Sequence, residues 1–96
     1  MISRLPKNPT HAGEMLLEEF LKPMGITQVA FAKHLGVSFK RINEIVQGRR
    51  SVTPETAWLF AQALGTSPQF WMNLQATYDL VHHKAPHSVR PLCNTV

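Results

Sequence analysis

The chain is short of the residues that make covalent frameworks and membrane spans. Cys93 is the single cysteine among 96 residues. That excludes an internal disulfide framework, makes the reducing cytoplasm the expected compartment, and leaves the thiol with no expected redox or metal role. No apolar run approaches the roughly 20 residues that cross a bilayer, and no basic leader followed by an apolar stretch opens the sequence, so neither a membrane span nor export is expected. Acids are also scarce: Asp and Glu total six against ten Lys and Arg, a formal charge of +4. At this length one small domain with tails is expected, without room for a second core or an elaborate active site.

The charge excess is local. Residues 33 to 50 hold Lys33, Lys40, Arg41, Arg49 and Arg50 against Glu44. Elsewhere Arg4, Lys7, Lys22, Lys84 and Arg90 offset Glu14, Glu18, Glu19, Glu55 and Asp79. So concentrated a patch suits a phosphate backbone. An anionic membrane surface is the rival, but it asks for a broad exposed apolar face beside the cations, and this segment offers only Phe39.

Periodicity predicts an all-α chain. Residues 1–10, with Pro6, Pro9, Arg4 and Lys7, show none and are expected to form a flexible arm. The folded domain is expected over 11–82. Its first helix runs from Ala12 to Lys22, apolar and acidic positions recurring every 3.6 residues, with Pro23 and Gly25 to end it. Thr27 to Leu35 and Ser38 to Gln47 follow. Thr53-Pro54-Glu55 opens a fourth helix that runs to Leu64 and stops at Gly65, and Ser67-Pro68 opens a fifth over about 68–82. Histidine, proline and isolated charges then mark 83–96 as a mobile tail. On the fifth helix Phe70, Trp71, Leu74, Tyr78 and Val81 form one apolar side, and Met72, Ala76 and Leu80 a second. Two apolar sides need two partners, and a homodimer is the expected second one, the alternative being that both sides bury within one bundle.

The segment from Thr27 to Gly48 carries the chemistry. Thr27 and Ser38 are hydroxyl caps, and Gly36 between them can take the left-handed conformation that ends a helix, so two short helices meet at a tight corner. Ala32 is small where they cross. Val29, Leu35, Val37, Ile42 and Ile45 supply the inner face, which leaves Phe39, Lys40, Arg41, Asn43, Glu44 and Gln47 pointing outward. This order of caps, glycine and basic face is that of a helix-turn-helix, whose second helix enters the major groove of duplex DNA.

Over about residues 11 to 81 the chain resembles the lambda repressor and Cro superfamily of helix-turn-helix repressors, and within it the HigA-type antitoxins of bacterial toxin–antitoxin operons. The matching stretches are His11-Ala12-Gly13-Glu14 with Leu17-Glu18-Glu19-Phe20-Leu21, then Thr27-Gln28, Asn43-Glu44-Ile45-Val46-Gln47-Gly48-Arg49-Arg50 and Thr53-Pro54-Glu55-Thr56-Ala57. That last block, together with Leu64-Gly65-Thr66-Ser67-Pro68-Gln69-Phe70-Trp71-Met72-Asn73-Leu74-Gln75, is the specific part of the match. Ala12 stands where the family usually has proline, and Phe39 where a polar residue is commoner. The resemblance implies a five-helix lambda repressor-like domain with flexible termini. It further implies a cytoplasmic homodimer that represses its own operon and neutralises a small, RelE-like, mRNA-cleaving toxin.

Geometry assigns roles on DNA. Gln28, first in its helix, faces a phosphate, which also matches the superfamily's usual clamp. Ser38, Phe39, Lys40 and Arg41 form the turn that enters deepest, with Asn43 one turn along. Arg41 or Lys40 can donate to guanine, Phe39 can lie on a thymine methyl, and Asn43 can bind adenine or a phosphate, or merely bond the adjacent helix. Gln47 completes the outer face, and Arg49 and Arg50 suit flanking phosphates. A dimer presents two such helices about 34 Å apart, so the operator is expected to be an inverted repeat. Glu14, Glu18 and Glu19 make the first helix the one acidic face, the expected contact for a basic toxin, or else an ordinary solvated surface.

Other functions fit less well. His83 and His87 have the spacing of a helical metal pair, but Pro86 breaks the helix between them, so no metal, cofactor or enzymatic activity is expected. A stand-alone Cro-like repressor without a toxin partner is the alternative function, and a module meeting an acidic protein is a third.

Overall fold

The computed structural model describes residues 6–93. Helix α1 is continuous through Ala12–Leu16, a π-helical turn over Leu17–Leu21, and Lys22–Met24. Its cap is His11, whose Nδ1 accepts the Gly13 N–H at 2.9 Å. Then come α2 (Gln28–Leu35), α3 (Phe39–Val46), α4 (Pro54–Leu64) and α5 (Pro68–His82). Each starts at a hydroxyl: Thr27, Ser38, Thr53 and Ser67 accept from Ala30, Arg41, Thr56 and Phe70 N–H at 3.1, 3.1, 3.4 and 3.1 Å. These bonds satisfy donors that a helix start leaves unpaired. Five helices and no strand make up the described residues, the architecture expected from periodicity.

Pro23 does not end the first helix as expected; it lies within the last turn. A proline there donates no N–H and crowds the carbonyl four residues back. The widened turn before it, where Lys22 N–H reaches back to Leu17 O, is where the helix absorbs that misfit.

The core is built on Trp71, Phe60, Leu16, Leu21, Ile42 and Ile45, all fully buried. The Trp71 ring meets Phe20, Phe60 and Phe70 at centroid distances of 5.4, 5.1 and 5.0 Å, and its Nε1–H donates to Thr66 Oγ1 at 2.7 Å. Edge and tilted ring pairs of this kind contribute about 0.5–1.5 kcal/mol each beyond their buried area. On α2 the inner face differs from expectation. Val29 is 60% exposed, while Phe31 is buried and lies 5.7 Å from Phe60. Phe31, Ala32 and Leu35 share one face, and Val29 stands about 200° around the helix from Phe31.

Two glycines set the approach of the helices. Gly36 has φ 77°, ending α2 as expected. Gly13 matters for space and not for torsion. A Cβ there would lie 1.7 Å from the Ile45 carbonyl oxygen, so only glycine lets α1 cross α3 this closely.

Helix α5 runs from the aromatic core toward the loop that follows α3. Its first half carries Phe70 and Trp71. In its second half Gln75, buried, accepts the Val52 N–H at 2.9 Å and donates to Asp79 at 3.0 Å, and Tyr78 meets the His11 ring at 4.8 Å. Residues 84–93 beyond it are all exposed. The radius of gyration, 16.1 Å, exceeds the about 12.5 Å of a compact chain this long, as a projecting segment requires. At the other end residues 6–10 carry no regular structure and border α5 across a cleft of about 340 Å³ that includes Pro6, Pro9, Phe70 and Leu74. The rest of the expected arm, residues 1–5 with Arg4, and residues 94–96 of the expected tail lie outside the described residues.

Candidate nucleic-acid interface

Two helix N-termini converge here. Gln28 is the first residue of α2, and Phe39, Lys40 and Arg41 are the first three of α3 behind the Ser38 cap. Asn43, one turn into α3, donates through Nδ2 to Gln28 Oε1 at 3.1 Å. Of the three partners open to Asn43 from sequence, base, phosphate and neighbouring helix, this bond is the last. It ties Asn43 to Gln28 across the corner and fixes both amides, with Gln28 left its own NH2 to offer a phosphate. Neither amide points freely outward, since both residues are half-buried.

Phe39 is 47% exposed and Lys40 is exposed beside it. Arg41 is half-buried, its guanidinium 3.6 Å from Glu55 in the first turn of α4. So exposed a pair is worth at most about 1 kcal/mol, and a phosphate or guanine can replace it. Farther along, Gln47 Oε1 accepts from Arg49, and Arg50 makes 2.9 and 2.8 Å contacts through Nε and Nη2 with Glu44 Oε1. The Arg50 hydrogen bond is the main reason the Glu44 carboxyl sits below its usual range. The charges of Arg50, Lys40 and Arg49 add to it, and desolvation opposes it. Glu44 therefore holds Arg50 against the end of α3, the intradomain ion pair that is one of the roles open to an outward-facing acid on this helix.

Every residue expected on DNA thus lies on one surface made of the start of α2, α3 and the loop behind it. Sequence reasoning misses the residues that aim this surface. His11, 7% exposed, caps α1 while a Cβ at Gly48 would lie 3.9 Å from its ring, and Gln75 pins the backbone at Val52. Burial lowers the His11 pKa, against the opposing charges of Asp79 and Glu14.

The Helix-turn-helix family model matches residues 17–71. This chain belongs to that family. Helix-turn-helix relatives include "Virulence-associated protein I" of Dichelobacter nodosus, 50% identical over 73% of this chain and 65% of that one. Another is "Antitoxin HigA-1" of Vibrio cholerae, 42% identical over 77% of this chain and 70% of its own length. The chain thus spans about two thirds of the length of these curated relatives, and it falls in the HigA-type branch of the helix-turn-helix family. Among solved structures, antitoxin GraA in complex with its operator matches at a TM-score of 0.84 and 35% identity, over 98% of this chain and 100% of that chain.

The other expected sites are also placed. Met72, Ala76 and Leu80 lie along one side of α5, Leu80 58% exposed, and Trp58 of α4, 57% exposed, shares a shallow depression with Met72. Trp58 extends onto α4 the apolar strip expected on α5 alone. Glu14, Glu18 and Glu19 are placed on α1, with Glu18 paired to Lys22 at 2.8 Å. No group of three or more metal-binding side chains occurs, and no helix is long and apolar enough to cross a membrane, among the described residues.

Proposed function

We propose that this protein is a cytoplasmic DNA-binding antitoxin that represses its own toxin–antitoxin operon and neutralises a small, basic, RelE-like mRNA-cleaving toxin. The observation that carries the DNA half is the single surface on which Gln28, Phe39, Lys40, Arg41, Asn43, Gln47, Arg49 and Arg50 stand together. Gln28 and the amides at the start of α2 grip a phosphate. Ser38, Phe39, Lys40 and Arg41 enter the major groove, where Phe39 meets a thymine methyl and Arg41 or Lys40 a guanine edge. Arg49 and Arg50 hold flanking phosphates, Arg50 by exchanging Glu44 for the backbone.

Two copies join through the strip of Trp58, Met72, Ala76 and Leu80, and their recognition helices enter successive major grooves of an inverted repeat about 34 Å apart. The relatives named as antitoxins support the toxin half. Among the described residues Glu14 and Glu19 are the acids of α1 with no salt bridge to a lysine, and a toxin that grips RNA presents the complementary positive face.

Co-expression with the product of the adjacent reading frame tests this reading. Growth rescue together with a stable complex is the expected result. A neighbour that is not toxic and forms no complex would reduce the protein to a stand-alone repressor.

A further inference from the structure

The end of α5 and the tail after it have no part in the surface described so far. They hold His82, His83, Lys84, His87 and Arg90 and not one acid, Asp79 being the last in the chain. Its point of departure is fixed by the fold. Tyr78 is packed on His11, the His11 ring lies beside Gly48, and Gln75 is bonded to Val52, so the second half of α5 braces one end of the loop that carries Arg49 and Arg50 directly and the other through His11. The helix end is well formed: His82 and His83 donate through Nδ1 to the Tyr78 and Asp79 carbonyls, each at 2.9 Å, closing carbonyls that a helix end leaves open. Both rings remain exposed, as do Lys84, His87 and Arg90.

We infer that residues 82–92 are a second nucleic-acid element, a basic arm that follows the DNA backbone outward from the phosphates held by the Arg49–Arg50 loop. Three observations converge on it: one sign of charge, exposure of every residue, and an origin one helical turn beyond the Tyr78 and Gln75 contacts that brace the basic loop. From Lys84 to Arg90 an extended chain reaches up to about 20 Å, the span of several phosphates along one strand at about 3.4 Å axial spacing. Exposed Val89 and Leu92 have no place in the core and can lie against sugar surfaces along the groove edge. The contacts are to the backbone, so the arm adds affinity without sequence preference.

The inference rests on the DNA-binding reading, and the test separates the two. The intact chain and a Lys84→Gln/Arg90→Gln double variant are titrated with an operator duplex and a scrambled duplex between 50 and 200 mM salt. Binding of the intact chain reports the reading itself. For the variant, the slope of log affinity against log salt should fall by about 1.8, two phosphate contacts at about 0.9 each. The deficit should be about tenfold larger at the low-salt end and equal on both duplexes. An unchanged slope overturns the arm, as does a variant that binds both duplexes normally while losing a co-expressed protein partner. If the intact chain binds neither duplex, both the reading and the arm fall.

Discussion

The amide of Asn43 donates to Gln28 Oε1 at 3.1 Å, joining the first turns of the recognition helix to the first residue of the helix before it. One amide orients the other, so the proposed phosphate clamp and the proposed base-reading face move as a unit. Asn43→Ala should therefore loosen Gln28 as well as remove its own contact. A double-mutant cycle with Gln28→Ala, read as DNA affinity, should show coupling of about 0.5–1.5 kcal/mol. Additive losses would mean the two residues act independently.

Gly13 should tolerate no side chain. Its hypothetical Cβ meets backbone at 1.7 Å, which no rotamer change relieves, so α1 and α3 must separate. Gly13→Ala is expected to cost about 3 kcal/mol and to lower the melting temperature by roughly 10–20 °C, followed by circular dichroism. Gly13→Ala melting within a few degrees of the parent would show that the crossing is looser than described.

His11 makes stability depend on pH. Its Nδ1 must be an acceptor for the Gly13 N–H, and burial disfavours the charged ring, so its folded pKa lies below its unfolded value near 6.5. Below that unfolded value the unfolded chain binds the extra proton, so the stability present above about pH 6.5 is lost as pH falls through the folded pKa. Denaturant midpoints should drop from pH 7 to pH 5. His11→Asn keeps a capping acceptor and removes the titrating ring, and it should flatten that drop; an equal drop in the variant would place its origin elsewhere.

How far the sequence reveals this arrangement depends on how local the cause is. The four hydroxyl caps, the Gly36 corner and the basic loop are set by neighbours within four residues, and each is legible. The π turn is not, because Pro23 reads as a stop and the widening that admits it leaves no signature. The face of α2 is misread at Val29 because eight residues with apolar groups on several sides fix no single rotation; only Phe60 on α4 shows that Phe31 is the buried one. Gly13, His11 and Gln75 are silent for the same reason. Their partners, Ile45, Tyr78 and Val52, lie far along the chain, and histidine is an uncommon cap.

Arg41 and Arg50 should separate by kind of contact. Arg41→Ala is expected to cost about 1–3 kcal/mol at one base position and relax specificity there, while Arg50→Ala should weaken all sequences alike and lower the salt slope by about 1. Glu44 gives the converse: Glu44→Gln removes the anion that holds Arg50, so it should tighten binding and steepen the slope. Competition titrations with single-base operator variants read all three.

In the proposed function, the surface built from the start of α2, α3 and the loop behind it reads DNA as a dimer. Hydroxyl-radical footprinting of the intact chain on the DNA upstream of its own reading frame is the decisive experiment. Two protected patches are expected, related as an inverted repeat and centred about one helical turn apart, both lost with Arg41→Ala. Protection at a single unrelated patch, or affinity no greater than for a scrambled duplex, would contradict it.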